Sequence, residues 1–303
     1  MINRYRRGLF IIAFLAAPVT LYLVYVISPY AQAFYIATTD WRGVTATPNF
    51  IGFDNFVRLF SDSIFWKAVT HNGALLLLLP LLTIVIALFF AFLLNVGGGG
   101  RGAAGVPGSR FYRVVFFFPQ VLAVAVVAVL FQQVFRPDGS GMLNGPLMAL
   151  GLRPVGFLSD PDVAFWSVLG VMVWQAVGFY VVLFSAGLAS IPRDMFEAAQ
   201  IDGAGRVSLF FRITLPLLWD TVQVAWVYLG ILALDVFAIV WVMTDQHGGP
   251  DFSTTVMATE IYRNAFTYFR FGYASALGVV MFFFTVGFAV LSLRLSRRER
   301  IEY

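Results

Sequence analysis

Asp220 and Asp235 are the only charged side chains inside six long apolar runs, and Glu197 and Asp202 stand just before Gly203 in the polar stretch between the fourth run and the fifth. Carboxylates so placed suit hydrogen bonding to a hydroxylated solute or to a protein partner. They do not suit covalent catalysis, for which the chain offers little. It has no cysteine, so no thiol nucleophile, no disulfide and no Cys-ligated zinc. His71 and His247 are the only histidines and neither belongs to an H-E-x-x-H, which leaves zinc proteolysis without ligands. A G-x-S-x-G nucleophile turn is also absent. The sole lysine, Lys67, lies between Trp66 and Ala68, so no G-x-x-x-x-G-K-[ST] phosphate loop exists. No catalytic residue and no metal site are expected, and the chain is not expected to be an enzyme.

The elements that position these residues follow from composition. Of the 303 residues, 60% are hydrophobic and 12% charged, with a mean hydropathy of +0.82. A soluble domain carries about 45–50% apolar and about 25% charged residues. The excess indicates an all-α, polytopic membrane protein, because no single soluble core of this length buries so much apolar surface. Six runs are long enough for the roughly 20 residues that cross a bilayer: about 9–36, 73–96, 114–135, 163–188, 215–243 and 273–293. They lack the alternation of a membrane barrel, so helices are expected. The whole chain reads as one transmembrane domain, and no internal repeat is visible, which disfavours a repeat-built secondary transporter.

The net charge of +4 does not point to nucleic acid, because arginines flanking membrane spans give the same balance. Alternate connections hold Arg4, Arg6, Arg7, Arg101, Arg110, Arg113, Arg193, Arg206, Arg212, Arg294, Arg297, Arg298 and Arg300, thirteen in all. The other set holds seven: Arg42, Arg58, Lys67, Arg136, Arg153, Arg263 and Arg270. The positive-inside bias puts both termini and the 190–214 connection in the cytoplasm. The basic start followed by an apolar run imitates a signal peptide, but the run far exceeds a 7–15-residue signal core, so a retained span is expected. Gly100-x-Gly102-x-x-Gly105 matches a dinucleotide fingerprint in spacing, yet it follows a membrane span rather than a strand and reads as a flexible connector. Phe56, Leu59, Phe60 and Ile64 have the spacing of a short helix at the membrane surface.

Residues 197–216 read EAAQIDGAGRVSLFFRITLP. Physically this is two short helices around a sharp turn. Pro192 and Asp194 suit a first turn, Glu197-Ala198-Ala199 continue it, Gly203 supplies a positive φ, and Asp202 is placed to cap the second helix. The spacing of Glu197, Ala198, Ala199, Gly203, Ile213, Leu215 and Pro216 resembles the signature of permease subunits of binding-protein-dependent ABC importers. Trp174-Gln175-x-x-Gly178-Phe179, Ala186-Gly187-Leu188-x-Ser190-Ile191-Pro192, Gly248-Gly249-Pro250 with Thr254, and Gly272-Tyr273-Ala274-Ser275-Ala276 are similar to its maltose and glycerol-phosphate type, sugar-transporting branch. Asp245-Gln246-His247 departs from that pattern, so no detailed role carries over to that loop.

The resemblance implies a type I, six-helix permease (MetI-like) in a bacterial or archaeal plasma membrane. Its partners would be a second, homologous permease in a heterodimer, two ATPase subunits that bind ATP and Mg, and an extracytoplasmic sugar-binding protein. No cofactor would belong to this chain. Glu197, Ala198, Ala199, Asp202 and Gly203 would form the coupling helix and its turn, through which ATPase closure moves the fourth and fifth spans. The rival from another class is a stand-alone secondary transporter or channel.

For the cargo path, Asp235 stands out, since a charged side chain at the bilayer centre costs about 2.5–3.5 kcal/mol on insertion scales and is expected to face a path or a helix partner. Gln120, Gln132, Gln133, Trp174, Gln175, Tyr180 and Tyr228 join it as candidates, because sugars are held by amides and stacked on aromatic rings. Asp220 and His71 read as structural.

Overall fold

The computed structural model describes residues 2–44, 48–95, 106 and 108–295. The glycine-rich connector and Arg297, Arg298 and Arg300 lie outside the described residues. Among the described residues the secondary structure is helical, apart from an isolated bridge between Thr39 and Phe50.

The first run forms α1 (Ile2–Tyr22) and α2 (Ser28–Ala37), joined without a break by a π-helical turn, Leu23–Ile27. Pro29, in the first turn of α2, has no N–H to offer the preceding turn and its ring crowds the carbonyl four residues back. Widening to a π turn just before it relieves that clash. The expected surface helix is α3 (Asp54–Ser61), with Asp54 in its first turn and Arg58 in its last, each favourable to the helix dipole. Then α4 runs unbroken from Ser63 to Asn95, 33 residues. That is about 50 Å of helix, more than the roughly 30 Å of bilayer hydrocarbon.

The third run is not one straight helix. α5 (Ser109–Val121) and α6 (Val124–Val134) meet at 97° across extended Leu122 and Ala123. α7 (Asn144–Ala149) interrupts the loop that follows. The fourth run is α8 (Pro161–Ser190), started by Pro161 in its first turn and by the Asp160 carboxylate accepting from the Asp162 N–H at 2.9 Å. Next come α9 (Arg193–Ile201), α10 (Arg206–Leu209), a π turn at Phe210–Thr214 and α11 (Leu215–Leu217). A 71° bend separates 206–217 from α12 (Trp219–Leu234). The fifth run is interrupted a second time, at Asp235-Val236-Phe237, before α13 (Ala238–Met243). α14 (Met257–Tyr262) passes through a π turn (Arg263–Thr267), and α15 (Phe271–Leu295) is the last element. Among the described residues, four helices are thus long and apolar enough to cross a membrane singly, and up to six spans result if each bent pair is one.

The described residues fall into two compact units, one within 1–65 and 260–283, the other within 66–259 and 284–303. In the first, the Asn55 amide donates to the Ala37 and Thr39 carbonyls at 2.9 and 2.8 Å, and the Gly272 N–H donates to the Trp41 carbonyl at 2.9 Å. A Cβ at Gly272 would lie 2.0 Å from the Thr39 carbonyl oxygen, so only glycine permits this approach. Glu260 and Arg263 form a buried ion pair in the same unit. The second unit holds the main core, built on Leu75, Leu88, Val127, Leu169, Phe184 and Leu229. There α5 lies so close to α8 that a Cβ at Gly178 would sit 1.7 Å from the Phe116 carbonyl oxygen. Gly178, read in the sequence as part of a resemblance, is therefore required by packing.

Candidate functional site

Residues 193–217 make a clip. Pro192 is the N-cap of α9, just outside its first turn, and the helix closes at Asp202. Gly203 has φ +81°, its N–H donates to the Gln200 carbonyl at 3.1 Å, and the Ala204 N–H donates to the Ala199 carbonyl at 2.9 Å. This is a Schellman ending, in which a left-handed glycine lets two terminal carbonyls be satisfied. Ala199 and Ala204 pack against the main core, the apolar contact that usually accompanies the motif. Phe196 and Leu209 are buried and anchor the two arms. Asp202 does not cap the second helix as its position suggested. Gly205 holds that N-cap, with no side-chain bond, because the Schellman turn places Asp202 at the C-cap of α9.

What the clip leaves outside is Glu197, Ala198, Gln200 and Ile201, the last 86% exposed, with Val207 72% exposed on the other arm. One small side chain, a carboxylate, an amide and exposed aliphatics on a core-anchored turn form a surface suited to a protein partner.

The second cluster lies at the helix breaks. The Asn72 amide, buried on α4, donates to the Ala233 and Leu234 carbonyls at 3.1 and 3.3 Å, and its oxygen accepts from the Met257 N–H at 2.8 Å. These carbonyls belong to the last turn of α12 and have no continuing helix to pair with. The Gln175 amide does the same at the other break, donating to the Leu122 carbonyl at 3.3 Å, and the Gln132 amide donates to the Val242 carbonyl at 2.6 Å. Breaks at membrane depth survive only where such partners pair the freed backbone groups. Gln132 and Gln175 were sugar candidates by residue type; their N–H groups pair with backbone. Asn72 has the clearest role of the three, and its one signal in the sequence was an amide at the edge of an apolar run.

Asp235 is not inside a helix. It is the C-cap residue of α12, exposed, with its N–H on the Ile231 carbonyl at 3.2 Å. An acid at a helix C-terminus opposes the dipole, so helix stability does not explain it. Asp220 lies in the first turn of α12, where the dipole favours it. Tyr228 (55%) and Trp174 (45%) are partly open, Trp174 with its ring edge-on to Phe131 at 5.1 Å. Gln120 is exposed near the end of α5. Tyr180 is buried, and its hydroxyl has no hydrogen-bond partner among the described residues. The structure does not gather these side chains into one pocket. His71 is structural as expected: its Nδ1 lies 2.8 Å from the Thr255 carbonyl and its ring stacks on Phe165.

A third cluster escaped the sequence reading. The Asn95 amide donates to the Ser185 hydroxyl at 2.9 Å and accepts from the Arg113 guanidinium, joining α4, α5 and α8.

Residues 74–301 match the family described as the inner membrane component of binding-protein-dependent transport systems. The chain belongs to that family. The permease is 41% identical over 295 residues to a diacetylchitobiose uptake permease of Streptomyces coelicolor, covering 96% of this chain and 83% of that one. It is 33% identical to a sulfoquinovosyl glycerol transport permease of Agrobacterium fabrum, covering 94% and 90%. Identity to a multiple sugar-binding transport permease of Streptococcus mutans is 31%, covering 95% of each. Its fold is similar to a chain of a bacterial alginate ABC transporter solved with an alginate-bound periplasmic protein (TM-score 0.81, 24% identity, 98% and 96% covered). It is a multi-pass subunit of an ABC importer and not an enzyme; ATP is hydrolysed by a separate subunit.

Proposed function

We propose that the permease forms half of a carbohydrate path and takes its drive from an ATPase docked on the 193–217 clip. The observation that carries the coupling half is the exposed Glu197-Ala198 face on a core-anchored Schellman turn. Displacing the clip would pull on α8 and α12, which flank it, and both carry or contact a break. The carbohydrate half is supported by the cargo in the relatives' names, diacetylchitobiose, sulfoquinovosyl glycerol and multiple sugars.

Asp235, Tyr228 and Trp174 are the proposed path residues, with Gln120 and Tyr180 as further candidates. All but Tyr180 are open in the single chain. The partners are two ATPase subunits holding ATP and Mg, a sugar-binding protein outside the membrane, and a second permease in a heterodimer. The uncovered first span supports the second permease, since none of its most apolar window is buried within the chain.

The excess of arginines in alternate connections supports a cytoplasmic clip and cytoplasmic termini. The absence of native cysteine gives a clean test. In intact cells, Leu150→Cys should react with a membrane-impermeant maleimide and Ile201→Cys should react only after permeabilisation. Reaction at Ile201→Cys in intact cells would reverse the orientation and remove the clip from any cytoplasmic ATPase.

A further inference from the structure

Between the C-terminal end of α6 and the segment after α13 is a cavity of about 350 Å³. Its polar lining is Gln132, Gln133, Arg136, Ser159 and Asp245, over an apolar floor that includes Phe135 and Met243. The size falls at the low end for small-molecule sites, which run about 300–1,000 Å³.

Gln132 and Arg136 are held by contacts of their own. The Gln132 amide nitrogen is tied to the Val242 carbonyl, which leaves its oxygen as an acceptor. Arg136 is held by Asp138 at 2.8 Å. The Ser140 hydroxyl, the Ser140 N–H and Arg136 keep the Asp138 carboxyl below the usual carboxylate range, so it stays charged. Buried Asn144 closes the loop behind Arg136, donating to the Arg136 and Val155 carbonyls at 2.8 and 3.0 Å.

The opposite side is Met243 and Asp245, and Asp245 opens the Asp245-Gln246-His247 segment that departs from the sugar-permease pattern in the sequence. Gln246, His247, Asp251 and Phe252 all have φ between 52° and 59°. Left-handed backbone costs a non-glycine residue roughly 1–2 kcal/mol, and such strain persists only where surrounding structure imposes it. Here His247 lies flat on Trp241 (3.9 Å, 7°) with Nδ1 2.8 Å from the Trp241 carbonyl, and the Gly249 N–H donates to the Asp245 carbonyl at 2.9 Å. The turn therefore holds Asp245 at the rim of the cavity. A carboxylate, two amides, a guanidinium and a hydroxyl over an apolar floor match a ring with hydroxyls around its edge and C–H groups on its face.

We propose that this cavity is an outer subsite for one pyranose ring of the cargo, with Asp245 and Gln133 reading its hydroxyls. The proposal rests on the carbohydrate reading above and names a place, separate from Asp235, where this permease itself selects among sugars. The test is uptake into proteoliposomes containing the full complex, with sugar-loaded binding protein varied in concentration, over a preferred sugar and its epimers. Asp245→Asn with Gln133→Ala, and separately the cavity-filling Ser159→Trp, should change the preference between epimers by about tenfold or more, as expected of a site that hydrogen-bonds hydroxyls. The half-saturating concentration of binding protein should not move. Equal loss for every sugar with a raised half-saturation would overturn the proposal and make the cavity part of the binding-protein dock. Unchanged preference would also overturn it. A wild-type complex that imports no sugar would instead remove the carbohydrate reading itself.

Discussion

Glu197→Lys is expected to lower uptake by at least about 100-fold if the proposed ATPase dock covers Glu197, since unpairing a charge buried in an interface costs about 2–5 kcal/mol and reversal adds repulsion. Membrane insertion should be untouched, because Glu197 is exposed on α9 and the anchors of the clip are Phe196, Ala199 and Leu209. Gly203→Val is the companion variant. Nothing lies within 4 Å of a Cβ built at Gly203, so the chain itself has room for the side chain. The local cost is the left-handed backbone, roughly 1–2 kcal/mol for a typical non-glycine residue and more for β-branched valine. Loss of uptake well beyond that cost reports a partner lying against the turn. The measurement is uptake normalised to membrane-inserted protein, and wild-type rates in both variants would contradict docking at this clip.

Asn72→Ala carries the second large effect. One side chain pairs two carbonyls at the Asp235 break and the Met257 N–H at the start of α14, and removing it leaves those groups buried. Each unsatisfied group costs about 1–3 kcal/mol, so the variant should lower the thermal midpoint of the detergent-purified complex and impair uptake. Asn72→Asp retains an acceptor for the Met257 N–H and loses both donors, so it should fall with Ala rather than with wild type. An alanine variant with an unshifted midpoint would show that the break holds itself.

The sequence revealed long helices and hid their interruptions. The runs at 73–96 and 163–188 emerge as the long helices α4 and α8, α4 continuing through Pro80. The breaks at Leu122-Ala123 and at Asp235-Val236-Phe237 carry no glycine or proline, and apart from Asp235 their residues are those of an apolar helix. What permits them is an amide on another helix, Gln175 for one and Asn72 for the other, and local propensity does not register such a partner. For the same reason Asp235 read as a carboxylate deep in a span and stands instead at the end of α12.

The clip was legible almost residue by residue. Gly203 as a left-handed stop and a helix starting at Arg206 are both local effects. The exception is Asp202, whose residue type suits an N-cap while its backbone closes the preceding helix. The polar cavity was not legible, because Gln132, Gln133 and Arg136 meet Asp245 only through the fold.

The most direct test is ATPase activity of the reconstituted assembly with its binding protein, measured across a sugar panel for wild type and for Glu197→Lys. A carbohydrate importer coupled through the clip should show stimulation by sugar-loaded binding protein in wild type and none in the variant. Stimulation surviving in Glu197→Lys, or elicited only by solutes that are not carbohydrates, would contradict the account.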